Sequence, residues 1–579
     1  MVVVGASSEA SPAQRAERPD TPRSPAPWPF ALVLVPSFLL ALAGLALALL
    51  ERTRPRGPAE HIFFELFGRH EVAGAWLHLG ILGGVLLFVA LLPRVAARVE
   101  PPSRLPARAW LLAALLVALL SLGAVLVYHD HPLSMDEYAS WFQAGAFGSG
   151  RLAGRFPPEL MPRLLPAGFV GYFLVPSIET GEVVSAYWPG FALLLAPFRA
   201  AGVPWMLNPL LTAGCVVLLA RLAARWVGGR AAAAWAVLLT LASPAVIVNG
   251  ISYYAMTAHL FFNLLWMELA TEGHAGDAEG VGLTARPRRL LGAGLVGSFA
   301  LVLHNPVPHA VFALPWVIAL LRRRGAPAVG WLALGYLPIS LLLGVGWSQV
   351  RESVGAWMRP AGAPLPLPER LVSLTRGLFA IPDGELLHAR ALAAVELAQW
   401  AAPLLAALAV LGWTATRRGS PLRLLGISAL VTLVVYCFVP STQGHGWGYR
   451  YFHQVWGSLP LLASAALVDP RATWRGRVLV AALVSLVAGN ALRLQQVERF
   501  IAAHLAQLPP APDEGRSVRF LAPQGYYVVD LYQNDPFLRN RTWTLVSYGA
   551  EEDAALMRRL FPGARLAGTY PNGTVWRVP

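Results

Sequence analysis

With 579 residues, 56% of them hydrophobic and only 13% charged, the chain carries about half the charge fraction of an ordinary water-soluble protein. Its formal charge of +14 would suit a polyanionic partner, but the arginines stand at the ends of apolar runs rather than along one face, which argues against nucleic acid. All 46 basic residues are arginine, which excludes a phosphate-loop lysine, a Schiff-base lysine and a kinase-type lysine, and with them ATP-driven transport by this chain alone.

The elements follow in chain order. Residues 1–27, rich in Pro, Ser, Ala and charge, read as a disordered cytoplasmic tail. The block 28–50 is too long and poorly flanked for a cleaved signal peptide and reads as an anchor. Further apolar segments are expected at 72–92, 108–128, 203–226, 231–251, 256–272, 290–304, 307–321, 331–350, 392–413, 424–440, 454–468 and 477–494. The longer ones reach the roughly 20 residues needed to cross a hydrocarbon core of about 30 Å, and inside lipid such segments must be helices. The fold class is therefore an all-α polytopic membrane protein with about 11–13 transmembrane helices, N-terminal helices over 28–128 and a bundle over 187–494. The run 290–321 is interrupted by Asn305-Pro306-Val307-Pro308 and reads either as two spans or as one kinked re-entrant pair. Cys215 and Cys437 lie inside apolar runs without metal-ligand spacing and read as small packing residues.

The loops beginning near 93, 221, 273, 322, 417 and 469 each carry three or four arginines, which places them and the N-terminus in the cytoplasm. Loop 51–71 breaks the pattern with Arg52, Arg54, Arg56 and Arg69, and loop 351–391 is neutral. In this orientation the loop 129–186 and the C-terminal stretch 495–579 share the extracytoplasmic side. The C-terminal stretch has short alternating runs, Tyr526-Tyr527-Val528-Val529 and Thr542-Trp543-Thr544-Leu545-Val546, around a helical patch at 551–561, the pattern of a small α/β appendage. No repeat of fixed period is evident, which counts against an inverted-repeat transporter.

The chemistry gathers in the external stretches. His129-Asp130-His131-Pro132-Leu133-Ser134-Met135-Asp136-Glu137-Tyr138 sets two adjacent carboxylates just past a membrane exit, ahead of a segment whose Trp141, Phe142, Ala146, Phe147 and Leu152 suggest an interfacial amphipathic helix. On physics alone the pair also suits an ordinary helix N-terminus. Gly444-His445-Gly446-Trp447-Gly448-Tyr449-Arg450-Tyr451-Phe452-His453 offers close backbone approach, aromatic faces for a sugar and, at Arg450, a fork for phosphate. The alternative for Arg450 is a side chain reaching from apolar surface to the interface. His304-Asn305-Pro306-Val307-Pro308-His309 puts polar residues inside an apolar run, where they face a cavity or break a helix. Tyr253-Tyr254 with His259 forms a third polar cluster. The spacing of His129, His131, Asp136, His445 and His453 matches no metal-ligand pattern, so no metal is expected.

Met135-Asp136-Glu137-Tyr138, then Gln143-Ala144, Gly150-Arg151-Leu152 and Pro157-Pro158, resembles the first external loop of GT-C membrane glycosyltransferases, the group that includes protein O-mannosyltransferases and lipid A aminoarabinose transferases. Tyr187-Trp188-Pro189-Gly190 with the following Leu193-Leu194-Leu195-Ala196 is similar to that family's "YPPG…LLLA" stretch, and Val203-Pro204-Trp205, Asn208-Pro209-Leu210 and Ser243-Pro244 continue the likeness over about 110–470. The resemblance implies a sugar moved from a polyprenyl-phosphate donor to an extracytoplasmic lipid, glycan or protein acceptor with inversion, in a prokaryotic inner or plasma membrane. It implies Asp136 as general base, with Glu137 beside it, and an arginine of the family's Gly-x-Arg-Tyr run at Arg450, while Tyr449, His445, His453, Asn305, His304, Tyr187 and Trp188 are the further candidate substrate contacts in the stretches above. The lipid-linked sugar is a donor substrate rather than a cofactor. Relatives often carry Arg-Pro where this chain has Asn305-Pro306, which keeps open a non-catalytic glycolipid-binding or assembly subunit on the same scaffold; a secondary transporter or lipid flippase is a third reading.

Overall fold

A computed structural model describes residues 26–55, 62–91, 109–277, 280–358, 377–524 and 527–579. Residues 1–25 of the expected tail, the arginine-bearing loop at 93–107, residues 359–376 of the loop 351–391 and Tyr526 lie outside the described residues.

Five helices among the described residues are long and apolar enough to cross a membrane: Ala31–Thr53, Ile62–Leu91, Pro204–Leu241, Val307–Val354 and Arg475–Leu505. Two of these runs contain a backbone break. Gly228 and Gly229 (φ 108° and 79°) divide the first, and its two halves, Leu207–Ala223 and Gly229–Leu241, pack against each other. Gly325 (φ 79°) divides the second, a conformation that glycine adopts without a Cβ penalty. Pro244–Ile251 and Met256–Ala270 form a pair bent by 113°, and shorter apolar helices include Gly190–Ala200, Leu405–Ala415, Pro421–Tyr436 and Ser458–Val468.

Most segments expected from hydropathy coincide with one helix. The segment expected at 392–413 is instead two, Gly384–Gln399 and Leu405–Ala415, parted at Pro403-Leu404 where Leu404 takes a left-handed φ of 74°. The segment at 231–251 likewise divides at Ser243-Pro244, because proline cannot continue the preceding helix. The run 290–321 is two helices, Pro287–Leu301 and the one beginning at Val307.

The bundle encloses a buried charge pair. Glu71 on Ile62–Leu91 accepts from Arg493 of Asn490–Leu505 at 2.7 and 2.9 Å, and both side chains are at most 2% exposed. The Trp400 indole donates to the same carboxylate at 2.9 Å, and the guanidinium lies 4.3 Å from the Trp400 ring centre. Gly74 makes room for it: a Cβ there would lie 2.3 Å from the Arg493 guanidinium.

Outside the bundle, α1 (Met135–Gly148) packs on α2 (Gly190–Ala200), and a three-stranded antiparallel sheet, β1 (Gly154–Arg155), β3 (Glu182–Ser185) and β2 (Leu174–Pro176), closes the loop between them. A short antiparallel pair, β4 (Thr271–Glu272) and β5 (Gly282–Leu283), follows, and the C-terminal stretch forms a four-stranded sheet of β6 (Arg516–Leu521), β7 (Thr542–Val546), β8 (Arg565–Tyr570) and β9 (Gly573–Val578) in the order β7-β6-β9-β8. The β6–β7 pairing is parallel and the others antiparallel, with the helix Ala550–Leu560 between β7 and β8. The alternating run expected around 526–529 is a 3-10 turn, Val528–Leu531, rather than a strand. One hydrophobic cluster joins this sheet to the external loop, with Val518, Phe520 and Leu545 packed together with Tyr138, Phe142 and Phe156.

Candidate active site

The chain reaches the site through an unusual turn. After Ala109–Leu126 ends, His129 and Asp130 both take left-handed φ values, 57° and 47°, a conformation that costs non-glycine residues on the order of 1–3 kcal/mol each. Ser134 then starts α1 with a capping box whose other member is Glu137, and both acidic residues fall in the first turn, where the helix dipole favours negative charge.

The two adjacent carboxylates have separate environments. Glu137 is fully buried and accepts from four donors: the Tyr128 hydroxyl at 2.9 Å, the amides of Leu133 at 2.6 Å and Ser134 at 3.2 Å, and the amide of Tyr253 at 2.8 Å. Burial pushes its pKa up to about 7, against the pull of those donors. Every lone pair is thus engaged with the protein, and Glu137 fastens the loop to the Tyr253 turn. Asp136 faces the other way. One oxygen accepts from the Tyr187 hydroxyl and the other from the Arg450 guanidinium at 2.8 Å. Burial works to raise its pKa, but Arg450 and the Tyr187 hydroxyl outweigh that and hold the carboxyl below the usual carboxylate range. The same ion pair raises the pKa of Arg450 despite burial.

Arg450 is itself tightly held. Its amide donates to the Gln443 side-chain oxygen at 3.0 Å, and a second guanidinium nitrogen donates to the Gln443 carbonyl. The Gln443 amide nitrogen donates to Glu396 at 2.9 Å, and the guanidinium lies 4.4 Å from the Tyr254 ring centre. Its Nε is buried and has no hydrogen-bond partner among the described residues.

Around this pair the other expected residues take distinct places. His304 lies against Tyr187 with ring centres 4.1 Å apart, and its carbonyl accepts from the Trp188 amide at 2.9 Å. Asn305 bonds His304 at 2.7 Å, and its side-chain oxygen accepts from the Val307 amide at 3.1 Å, which fits the helix-breaking alternative for this element. Tyr254 joins the site by accepting from the Ser134 hydroxyl at 3.0 Å and donating to the His445 carbonyl at 3.1 Å. His445 pairs through Nε2 with Asp530 at 2.8 Å rather than facing Asp136. Tyr449 turns toward Tyr451, and His453 stacks on Trp456 with burial pulling its pKa down to about 3. Asp136, Tyr187, His304 and Arg450 therefore converge, whereas Glu137, Asn305, Trp188, His445, Tyr449 and His453 support the elements that carry them. Among the described residues no group of three or more His, Cys, Asp or Glu is placed to hold a metal.

Sequence reasoning missed Gln443, Glu396 and Asp530. Glu396 and Asp530 lie far along the chain from their partners and in no motif, whereas Gln443 stands seven residues before Arg450, just outside the glycine-rich run. The role of Glu137 did have a signal, since Ser134-x-x-Glu137 is a capping-box spacing.

An ionised carboxylate beside a fixed guanidinium can accept a proton from a hydroxyl while the cation stabilises a nearby anion. The structure resembles the crystal structure of ArnT from Cupriavidus metallidurans bound to undecaprenyl phosphate, with a TM-score of 0.51 and 14% identity over 81% of this chain and 98% of that one. The apo state of the same ArnT gives a TM-score of 0.46 and 13% identity over the same shares. No protein-family model and no curated protein matches the sequence. The likeness concerns the fold alone, and the long apolar helices mark the chain as an integral membrane protein.

Proposed function

We propose that the chain is a membrane glycosyltransferase that moves a sugar from a polyprenyl-phosphate donor to an extracytoplasmic acceptor with inversion at the anomeric carbon. The observation that carries this reading is the 2.8 Å contact between Asp136 and Arg450, residues 314 positions apart in sequence. The ArnT structure it resembles holds undecaprenyl phosphate, a lipid of the class proposed for the donor here.

In the proposed reaction the acceptor hydroxyl attacks the anomeric carbon while Asp136 takes its proton. The bond from that carbon to the phosphate oxygen breaks, and the bonding pair leaves with the polyprenyl phosphate. Arg450 stabilises the charge that grows on the departing oxygens, as a fixed cation with its buried Nε still able to donate. Tyr187 orients the Asp136 carboxylate through its hydroxyl, and His304 supports the Tyr187 ring. Glu137 positions the base by fastening the first turn of its helix.

The test is transfer by membranes containing Asp136→Asn protein, read as glycolipid and glycan profiles against a deletion strain. The expected result is the deletion profile with normal protein level and membrane insertion. A wild-type profile from that variant would overturn the reading in favour of a non-catalytic scaffold.

A further inference from the structure

We infer that the C-terminal α/β unit is a working part of this site, and that Asp530 is a positioning residue that fixes the Asp136 helix relative to the Arg450 loop. The inference rests on the roles proposed above for Asp136 and Arg450.

Asp530 lies in the turn Val528–Leu531, between β6 and β7, and is 6% exposed. One carboxylate oxygen accepts from the Met135 amide at 3.0 Å, the amide next to Asp136 at the start of α1. The other accepts from His445 Nε2 at 2.8 Å, five residues before Arg450. A single buried carboxylate thus joins the two segments whose facing residues form the 2.8 Å contact. Its charge also suits the partial positive end of a helix.

The neighbouring residues extend the clamp. Gln533 donates to the Pro132 carbonyl at 2.6 Å and to the Asp530 carbonyl at 2.8 Å. Asn534 exchanges two bonds with the Tyr138 hydroxyl, at 2.7 and 2.8 Å. Residues 132, 135 and 138, on both sides of Asp136, are therefore tied to residues 533, 530 and 534 of the C-terminal unit. Displacing that unit would carry the carboxylate away from the guanidinium, and a proton-transfer geometry tolerates little displacement.

The experiment uses the full chain in nanodiscs with Asp530→Ala, Asp530→Asn and, as a control in the same unit, Arg541→Ala. Amide hydrogen exchange is followed over 132–140 and 443–452. Asp530→Ala should speed exchange in both segments by about tenfold, the loss of one charge-assisted bond at each end. Asp530→Asn, which keeps an acceptor for the Met135 amide, should restore the first segment, and Arg541→Ala should leave both as in wild type. Unchanged exchange in Asp530→Ala, or a uniform rise that includes 62–91, would overturn the inference. If Asp530→Ala does not fold, His445→Ala serves instead: it cuts one end only, and faster exchange confined to 443–452 supports the clamp, whereas no change refutes it. A second arm measures transfer from an undecaprenyl-phosphate-linked sugar, where Asp530→Ala should lower kcat by about tenfold with the donor KM within about twofold. An unaltered kcat in that variant counts against the clamp, while absence of transfer by wild type counts against the proposed reaction and leaves the exchange result to decide the inference.

Discussion

Replacing Asp136 by asparagine separates geometry from chemistry more cleanly than any other change at the site. The amide has the shape of the carboxylate. With its oxygen toward Arg450, its nitrogen meets the Tyr187 hydroxyl, which accepts as readily as it donates. The first turn of α1 should therefore stay in place, fastened by Glu137 rather than by Asp136. What disappears is the capacity to take a proton, a contribution of roughly 10²–10⁴ in rate, or about 3–5 kcal/mol at about 1.4 kcal/mol per tenfold. The assay is the initial rate of sugar transfer in proteoliposomes, with undecaprenyl-phosphate-linked sugar as donor and a native-membrane glycolipid extract as acceptor, normalised to inserted protein. A variant within about threefold of wild type would refute the assignment of Asp136 as base. The pH dependence gives a second check. The folded protein holds Asp136 below its ordinary pKa of about 3.9, so its contribution to stability is present above that value and is lost as pH falls through the lower folded one. Wild-type transfer should show no acid limb from this group above about pH 4, and Asp136→Asn should flatten the acid unfolding curve below it.

Three other outcomes test neighbouring parts of the argument. Arg450→Lys keeps a charge but loses the planar fork that spans Asp136 and the Gln443 carbonyl, and transfer should fall by about 10²-fold, measured in the same proteoliposome assay. Glu137→Gln turns a donor toward a ring of donors, so the folded state should lose about 1–3 kcal/mol, read as a lower melting temperature in detergent. Glu71→Gln leaves Arg493 without its counter-charge inside the bundle and should cost about 3–5 kcal/mol by the same measurement, much of it recovered when Arg493 is also replaced by Met.

The sequence displayed the site unevenly. The membrane architecture was legible because lipid demands long apolar helices, and the errors fell where a proline divided an apolar run or charge entered a helix. Ile62–Leu91 begins ten residues before the expected start at 72, because Glu65, Arg69 and Glu71 made its first turns look like loop. Asp136 and Arg450 stood out because acidic and basic residues are rare in so apolar a chain, and Tyr187 lay within a recognisable run. The division of labour between Asp136 and Glu137 was not readable from their adjacency. Successive residues of a helix point about 100° apart, so one faces Arg450 while the other faces the backbone of Tyr253. Glu396 and Asp530 act through tertiary contacts with no local spacing to betray them, and for Asp530 this is why the C-terminal unit reads from sequence as an appendage.

The pairing of Glu71 with Arg493 bears on how the chain is made. The acid enters the bilayer with the second long helix and its arginine with the last, more than four hundred residues of synthesis later. A lone acid at membrane depth costs on the order of 2.5–3.5 kcal/mol, so every nascent intermediate carries an unsettled charge until the final helix docks. Prematurely terminated chains would keep that charge exposed to lipid or to the insertion machinery. The pair thus closes late in assembly, once the last long helix has packed against the second.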